Sequence, residues 1–319
     1  MTAIIGTGDF RYAAEPGWAK LPAEWELADV GGIAVDRQDR VHVFNRGTHP
    51  MVVFDRQGNV VRTWGDGTCK RPHAVHLAPD DTIWCADEGD HVIRRCTLDG
   101  EVLSTLGTPG KPAEEFSGQP FHRCTHSALT PDGDILVADG YGNARVHKFR
   151  PDGTRVLSWG GFGTDPGEFN VVHNITCDAD GFVYVADREN YRIQVFDTEG
   201  RFVTQWHNLF RPCGLYMHGT SKPIFFVGEL GPFLAINRRF PNIGPRISIL
   251  DHQGRLLGRL GASRASTEDG GFIAPHTLAI DSHGDLYVGE VSWSAWEHVF
   301  PGTARPRRIR SLQKLVRVA

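Results

Sequence analysis

Cysteine is scarce and scattered in this sequence of 319 residues. The six cysteines form no Cys-x-x-Cys pair, so the spacing typical of a zinc ribbon or a redox dithiol is absent. The first residues also lack a basic start followed by a long apolar stretch, which is the pattern of a secretory signal. We therefore expect reduced thiols and a cytoplasmic location.

Long hydrophobic runs and excess positive charge are missing as well. No apolar stretch approaches the roughly 18 residues that a membrane-spanning helix requires. The formal net charge is −4, and no basic stripe is visible, which argues against nucleic acid or a membrane surface as partner. A small molecule remains the expected partner, and the sequence leaves the oligomeric state open.

What the sequence does contain is a repeat, clearest in residues 169–196. Short apolar runs alternate there with the polar turns Asp-Ala-Asp-Gly and Asp-Arg-Glu-Asn, a pattern typical of β-strands joined by tight turns. Six copies of about 40 to 50 residues, each with about four strands, indicate propeller blades. The sequence therefore predicts an all-β, six-bladed β-propeller that occupies residues 1–319 as one domain. The copies begin at Gly31, Arg71, His122, Phe169, Arg211 and Ile273.

The sixth copy lacks an outer strand, because little sequence follows its third apolar run at 312–318. An open sheet edge invites aggregation, so a closed ring needs another strand at that place. We expect a strand within residues 4–14 to complete the sixth blade and close the ring.

Two long insertions interrupt the last two copies. Residues 230–246 and 291–311 each follow the second strand of a blade. Loops of this length in a compact domain are commonly functional. Since equivalent turns lie on one rim of a propeller, we expect both insertions to form walls or lids over a site there.

Three histidines occupy one aligned position, the start of the innermost strand. They are His73, His173 and His276, in the second, fourth and sixth copies. Alternate blades of a six-fold ring lie about 120° apart, so three imidazoles would meet in the channel and leave a fourth metal position open. That donor set suits a catalytic zinc or a similar divalent ion. With 15 histidines in the chain, ordinary packing histidines and coincidence are the alternative.

Arg46 and Tyr141 lie in turns that share a rim with these histidines. We interpret them as an unpaired guanidinium and a phenol beside the metal; the alternatives are a solvated turn residue and a rim aromatic. Cys213 takes the aligned position in the fifth copy and is interpreted as a small buried residue. The repeated turn residues are interpreted as structural, because short polar side chains satisfy turn backbone. They are Asp139, Asn143 and Arg145, with their counterparts Asp187, Asn190 and Arg192.

Six short motifs are informative when taken together, namely FNRGTH (44–49), RPHAV (71–75), DGYGNAR (139–145), VVHNI (171–175), ADREN (186–190) and APHTL (274–278). The repeats that contain them resemble NHL repeats, and the motifs resemble in particular those of the peptidyl-α-hydroxyglycine α-amidating lyase family. The resemblance implies a zinc ion held by His73, His173 and His276, with Tyr141 as catalytic base and Arg46 assisting. It also implies cleavage of the C–N bond of a carbinolamide, R-CO-NH-CH(OH)-COOH, into an amide and glyoxylate.

The sequence departs from that family at three places. Thr277 replaces the acidic residue of the family's calcium site, so we do not expect calcium; Ala274 replaces a methionine and Gly142 a disulfide cysteine. We expect a small α-hydroxyglycine-like substrate rather than a secreted peptide. Two alternatives stay open, namely a metal-dependent hydrolase on the same three histidines and a non-catalytic NHL scaffold that binds protein or RNA.

Overall fold

The protein is described by a computed structural model that covers residues 4–318. Its strands form six antiparallel sheets, five with four strands and one with five. The innermost strands of successive sheets contact one another around the ring, and the last contacts the first. The chain is thus a closed six-bladed β-propeller, as the repeat pattern predicts.

The first three blades have their strands in chain order from the channel outward. Blade one contains β3 (Val30–Val35), β4 (Val41–Asn45), β5 (Met51–Phe54) and β6 (Val60–Trp64). Blade two contains β7 (Pro72–Leu77), β8 (Thr82–Asp87), β9 (Val92–Thr97) and β10 (Val102–Leu106). Blade three contains β11 (His126–Leu129), β12 (Ile135–Asp139), β13 (Arg145–Phe149) and β14 (Arg155–Gly160).

The remaining blades follow the same plan except at the chain ends. Blade four contains β15 (Val172–Cys177), β16 (Val183–Asp187), β17 (Arg192–Phe196) and β18 (Phe202–Trp206). Blade five contains β19 (Pro212–His218), β20 (Ile224–Glu229), β21 (Arg246–Leu250) and β22 (Leu256–Leu260). Blade six contains β23 (Pro275–Ile280), β24 (Leu286–Glu290), β25 (Leu312–Arg317), β2 (Phe10–Ala14) and β1 (Ile4–Thr7).

The core lies between the faces of neighbouring blades. Phe44 and Val53 of blade one, for example, pack with Val75 and Ile83 of blade two, and all four are buried. Each such apolar side chain stabilises the fold by about 1.5–3 kcal/mol when fully buried. Because each blade packs against a neighbouring blade on both faces, its inner strands must be apolar on both faces. For this reason the second strands are continuous hydrophobic runs in the sequence.

The N-terminal segment closes the ring, with one more strand than expected. β2 pairs with β25, aligning Tyr12 with Arg317 and Ala13 with Val316. The chain before it turns at Gly8, whose φ of +58° suits glycine, so that β1 pairs back onto β2. The predicted strand within residues 4–14 is therefore a hairpin, and β1 becomes the outer edge of blade six.

The two insertions differ from each other in structure. Residues 291–311 contain the helix α1 (Ser292–Val299), which the sequence pattern does not reveal, whereas residues 230–245 form no helix or strand. Among residues 4–318, no helix is both long and apolar enough to cross a membrane.

Candidate metal centre and active site

His73, His173 and His276 meet in the central channel. Each is the second residue of an innermost strand, β7, β15 or β23. The pairing register shifts at each of these residues, which marks a β-bulge, and a bulge redirects a side chain out of the regular alternation. The three imidazole centroids form a nearly equilateral triangle with sides of 4.8–4.9 Å. One nitrogen from each ring lies within 4.8 Å of the other two, so the three could hold a metal ion together.

Each imidazole is oriented by a carbonyl of the next blade. The Nδ1 atoms of His73, His173 and His276 lie 2.6–2.9 Å from the backbone oxygens of Thr125, Cys213 and Gly31. A bond from Nδ1–H to a carbonyl fixes both the ring and its tautomer, and it leaves the Nε2 lone pair free. In successive blades around the ring, the aligned position is therefore occupied in turn by a histidine and by a residue whose carbonyl orients a histidine.

The close approach of the blades requires glycine at the aligned position Gly31 and at Gly214, one residue beyond the aligned position of blade five. A side chain on Gly31 would lie 2.7 Å from the carbonyl oxygen of His73, and one on Gly214 would lie 2.7 Å from that of His276. Real Cβ atoms do not approach an oxygen so closely, so any side chain would push an innermost strand outward. Glycine therefore keeps the histidine strands at the spacing of the cluster.

The three histidines are neutral in this environment. Burial lowers the pKa of each well below 6.5, and positive charge nearby adds to the effect, from Arg46 at His73 and from Arg188 at His173. Neutral imidazoles with free Nε2 atoms are the ligands that a divalent ion such as zinc takes, with a fourth position left for substrate. The residues present therefore fit a zinc ion.

Tyr141 lies directly beside this cluster. Its phenol oxygen is 3.1 Å from Nε2 of His73 and 3.1 Å from Nε2 of His173. Burial raises the pKa of Tyr141, while the Arg188 guanidinium acts in the opposite direction. The phenol thus lies beside the Nε2 atoms of the cluster, as its place in the rim turn predicts.

Arg46 lies at the same site, but the expectation that its guanidinium is unpaired is wrong. Its Nε donates to the carbonyl of Pro72 at 3.0 Å. Nη1 and Nη2 donate to the carboxylates of Asp29 and Glu88, each at 3.3 Å. A partly buried guanidinium needs such acceptors, and two of these partners are invisible in a local pattern because they lie 17 and 42 residues away.

Arg188 also lies at this site, although the interpretation of the sequence motifs did not single it out as a site residue. Its Nη1 donates to the phenol oxygen of Tyr141 at 3.3 Å, and its Nε donates to Glu189 at 2.8 Å. Arg46 and Arg188 each directly follow a second strand, β4 or β16, so they occupy equivalent positions in opposite blades. Alignment of the blades at this position could therefore have identified Arg188 from the sequence.

Two acidic residues near the phenol, Glu88 and Glu189, bind further arginines. Glu88 accepts bonds from Arg46, Arg71 and Arg123, and the Arg123 guanidinium lies 4.7 Å from the centre of the Tyr141 ring. Glu189 joins Arg188 to Arg211. Within this network of ion pairs around Tyr141, guanidinium groups outnumber carboxylates, five against three. The groups are Arg46, Arg71, Arg123, Arg188 and Arg211, against Asp29, Glu88 and Glu189.

The repeated turn residues make structural contacts. Asp139 accepts the backbone N–H of His122, and Asp187 accepts that of Asn170 and a bond from Arg192. Each carboxylate therefore ties the end of a second strand to the loop that precedes the first strand.

Two other positions singled out by the sequence lie next to the cluster. Burial raises the pKa of Cys213 to about 12, so it is a neutral thiol, 3.3 Å from Nδ1 of His173. The Thr277 hydroxyl accepts the N–H of Ile33 and supplies no carboxylate for a calcium ion.

Comparison with known proteins agrees with the fold and with the repeat. The NHL repeat model matches residues 169–196. Human NHL repeat-containing protein 3 is 32% identical over 296 residues, which cover 88% of this chain and 81% of that protein. Peptidyl-alpha-hydroxyglycine alpha-amidating lyase 1 of Drosophila melanogaster is 34% identical over 255 residues, or 74% of this chain and 45% of that protein.

Solved structures extend the likeness in fold alone. A streptogramin B lyase structure superposes with a TM-score of 0.60 at 13% identity and covers 95% of this chain and 97% of that one. The identity to human NHL repeat-containing protein 3, across four fifths of its length, assigns the family directly. The chain belongs to the NHL-repeat family of six-bladed β-propellers.

Proposed function

We propose that this protein is a zinc-dependent carbon–nitrogen lyase that splits a small carbinolamide of the α-hydroxyglycine type into an amide and glyoxylate. One observation carries the proposal, namely that the phenol of Tyr141 lies 3.1 Å from two of the three metal-binding imidazoles and within hydrogen-bond distance of Arg188. The Drosophila relative named as an amidating lyase supports the same chemistry.

The metal belongs at the histidine cluster. Nε2 of His73, His173 and His276 would hold it, since each Nδ1 is already used by a carbonyl. When bound there, zinc supplies positive charge and Lewis-acid chemistry to an oxygen of the substrate.

Tyr141 moves the proton. As base, its phenolate oxygen takes the proton of the substrate hydroxyl; the C–O bond becomes a carbonyl, the C–N bond breaks, and the nitrogen leaves with the electron pair. The same phenol then returns the proton to that nitrogen, which gives the amide. Since burial raises the pKa of Tyr141, the base role depends on cations close by, and Arg188 and Arg46 are the chain's own.

The arginine-rich rim orients the substrate. A guanidinium can bind a carboxylate through two parallel hydrogen bonds, which fixes direction as well as position. With guanidinium groups in excess of carboxylates in this network, the substrate's carboxylate has a partner, and its hydroxyl can be held beside Tyr141.

The test is product analysis with N-benzoyl-α-hydroxyglycine and zinc-loaded protein. The proposal predicts benzamide and glyoxylate in equal amounts, above the rate of the spontaneous reaction. Benzoate in place of benzamide would mean hydrolysis of the acyl–nitrogen bond and would replace the lyase by a hydrolase. Neither product above background would contradict catalysis on this substrate class.

A further inference from the structure

A recess occupies the end of the central channel that lies away from Tyr141 and the histidine cluster. Its volume is about 590 Å³, and all six innermost strands contribute to its wall. Because these strands run in the same direction from the histidine cluster, the residues that line the recess lie one to seven positions beyond the aligned position of each strand. None of the three clustered histidines, Tyr141, Arg46 or Arg188 takes part in the wall. The recess is therefore separate from the proposed active site.

The wall is mainly apolar and partly open to water. Val35, Leu77, Leu129 and Met217 all line the recess and are only partly buried. Removing apolar surface from water is favourable by about 25 cal/mol per Å². A recess of this size and lining has the character of small-molecule sites in proteins.

The wall offers no charge to an ion. It contains no lysine or arginine, and its one acid is Asp178. The Oδ1 atom of Asp178 accepts the N–H groups of Asp180 and Phe182, and its Oδ2 atom accepts the hydroxyl of Tyr184. An ionic ligand would lose its hydration here without gaining a partner, which is costly. The wall therefore favours a neutral ligand.

One side of the wall has spare hydrogen-bonding capacity. His76, His126 and Asn174 come from three successive blades, and each has one enclosed polar atom without a partner, namely Nε2, Nδ1 and Oδ1. The His76 and His126 rings stack at 6.1 Å, and burial lowers their pKa values to about 3 and about 4, so both stay neutral near pH 7. For His126 and Asn174, a half-turn of the last side-chain torsion keeps the outline of the group and exchanges the enclosed atom with the opposite one, whereas Nδ1 of His76 already lies 3.3 Å from the Ser127 hydroxyl. Three unpartnered polar atoms beside an apolar cavity are uncommon and indicate a missing polar partner.

We propose that this recess binds a neutral, mostly apolar small molecule that carries one hydrogen-bonding group. The apolar body would cover the partly exposed leucine, valine and methionine side chains, and the polar group would meet the side formed by His76, His126 and Asn174.

The test uses two dyes that share a skeleton and differ in charge. N-phenyl-1-naphthylamine is neutral and has one N–H, whereas 1-anilinonaphthalene-8-sulfonate adds a sulfonate. Fluorescence titration of the full chain should give saturable binding of about one neutral dye per chain, with the sulfonate at least about tenfold weaker. No saturable binding of the neutral dye, or equal affinity for the two dyes, would overturn the proposal.

Variants locate the dye. Leu77→Trp places a larger side chain in the wall and should weaken binding of the neutral dye at least about tenfold. Leu257→Trp, at an exposed position on β22 outside the recess, is the matched control and should leave it unchanged. Met217→Trp fills the recess from another blade and decides the matter if Leu77→Trp fails to fold. Retention of full affinity in the folded filling variants would place the dye elsewhere and refute the site.

Discussion

Main-chain atoms of neighbouring residues, rather than their side chains, orient the three clustered histidines, His73, His173 and His276. The backbone oxygens of Thr125, Cys213 and Gly31 each orient one ring, so the cluster needs only the main chain at the intervening positions. This explains how residues as different as threonine, cysteine and glycine fill one aligned position. In the proposed mechanism, Tyr141 is the side chain that moves the proton.

Tyr141→Phe tests that assignment. The substitution removes the phenol oxygen but keeps the ring on which the Arg123 and Arg188 guanidinium groups lie. Loss of a positioned acid–base group typically costs a factor of about 10² to 10⁴. We expect kcat for benzamide release to fall by at least about 10²-fold while zinc content stays at the wild-type level. Unchanged turnover at full zinc loading would remove Tyr141 from the reaction.

The sequence predicts the site at residue level only where a repeat supplies an alignment. Blade alignment brings out the three histidines and places Arg46 and Tyr141 on their rim. It could not reveal that Arg46 is paired, because Asp29 reaches it only through the pairing of β3 with β4 and Glu88 only from the neighbouring blade. Arg188 was within reach of the same alignment, since it matches Arg46.

At the scale of elements, the two insertions connect to the two arginines that flank Tyr141. The backbone N–H and the hydroxyl of Ser294, in the first turn of α1, donate to Asp29, which also accepts Arg46. In the other insertion, the Gly231 carbonyl accepts a bond from Arg211, which binds Glu189 and through it Arg188. The insertions also meet each other where Phe233 stacks on His298 at 5.0 Å. They thus form a joint wall that holds both arginines in place.

Ser294→Ala should loosen this wall. The variant loses one hydrogen bond to a carboxylate, worth about 1 kcal/mol or more, or about fivefold in a local opening equilibrium. Hydrogen exchange of the α1 amides should quicken by about that factor. Ser282→Ala is the matched control, since the Ser282 hydroxyl also donates to an aspartate, Asp39, outside this wall. Equal α1 protection in both variants would show that the bond does not hold the helix.

The helix α1 illustrates what the sequence pattern leaves out at this scale. It has only eight residues, and its N-cap residue Val291 supplies no capping side chain, so the usual local start signal is missing. Its buried residues face the rim of the propeller rather than a neighbouring helix, and such a surface exists only after the ring has closed. The strands, in contrast, recur in six copies separated by polar turns, so the sequence alone predicts them.

For the whole molecule, the closed ring keeps neutral histidines in the channel, and this links stability to pH. Burial lowers the pKa of His76 to about 3, and the titratable group that faces it is His126 on β11. Below pH 6.5 the unfolded chain protonates His76 while the folded chain does not. The free energy of unfolding therefore falls as the pH drops from about 6.5 towards 3.

His76→Phe isolates this contribution. From pH 7 to pH 5, His76 alone should lower the free energy of unfolding by about 2 kcal/mol, because a shift of one pKa unit corresponds to about 1.4 kcal/mol. Urea unfolding at the two pH values should show a decrease that is smaller by about this amount in the variant. The same decrease in both proteins would mean that His76 is protonated in the folded state.

The central claim is that the ring brings three histidines together to hold one metal ion. Its most direct test is elemental analysis of the purified protein after zinc reconstitution, beside a folded His173→Ala variant. The account predicts about one zinc per chain in the wild type and its near-complete loss in the variant. No zinc in the wild type, or the same zinc content in both proteins, would contradict the site and the lyase proposal that rests on it.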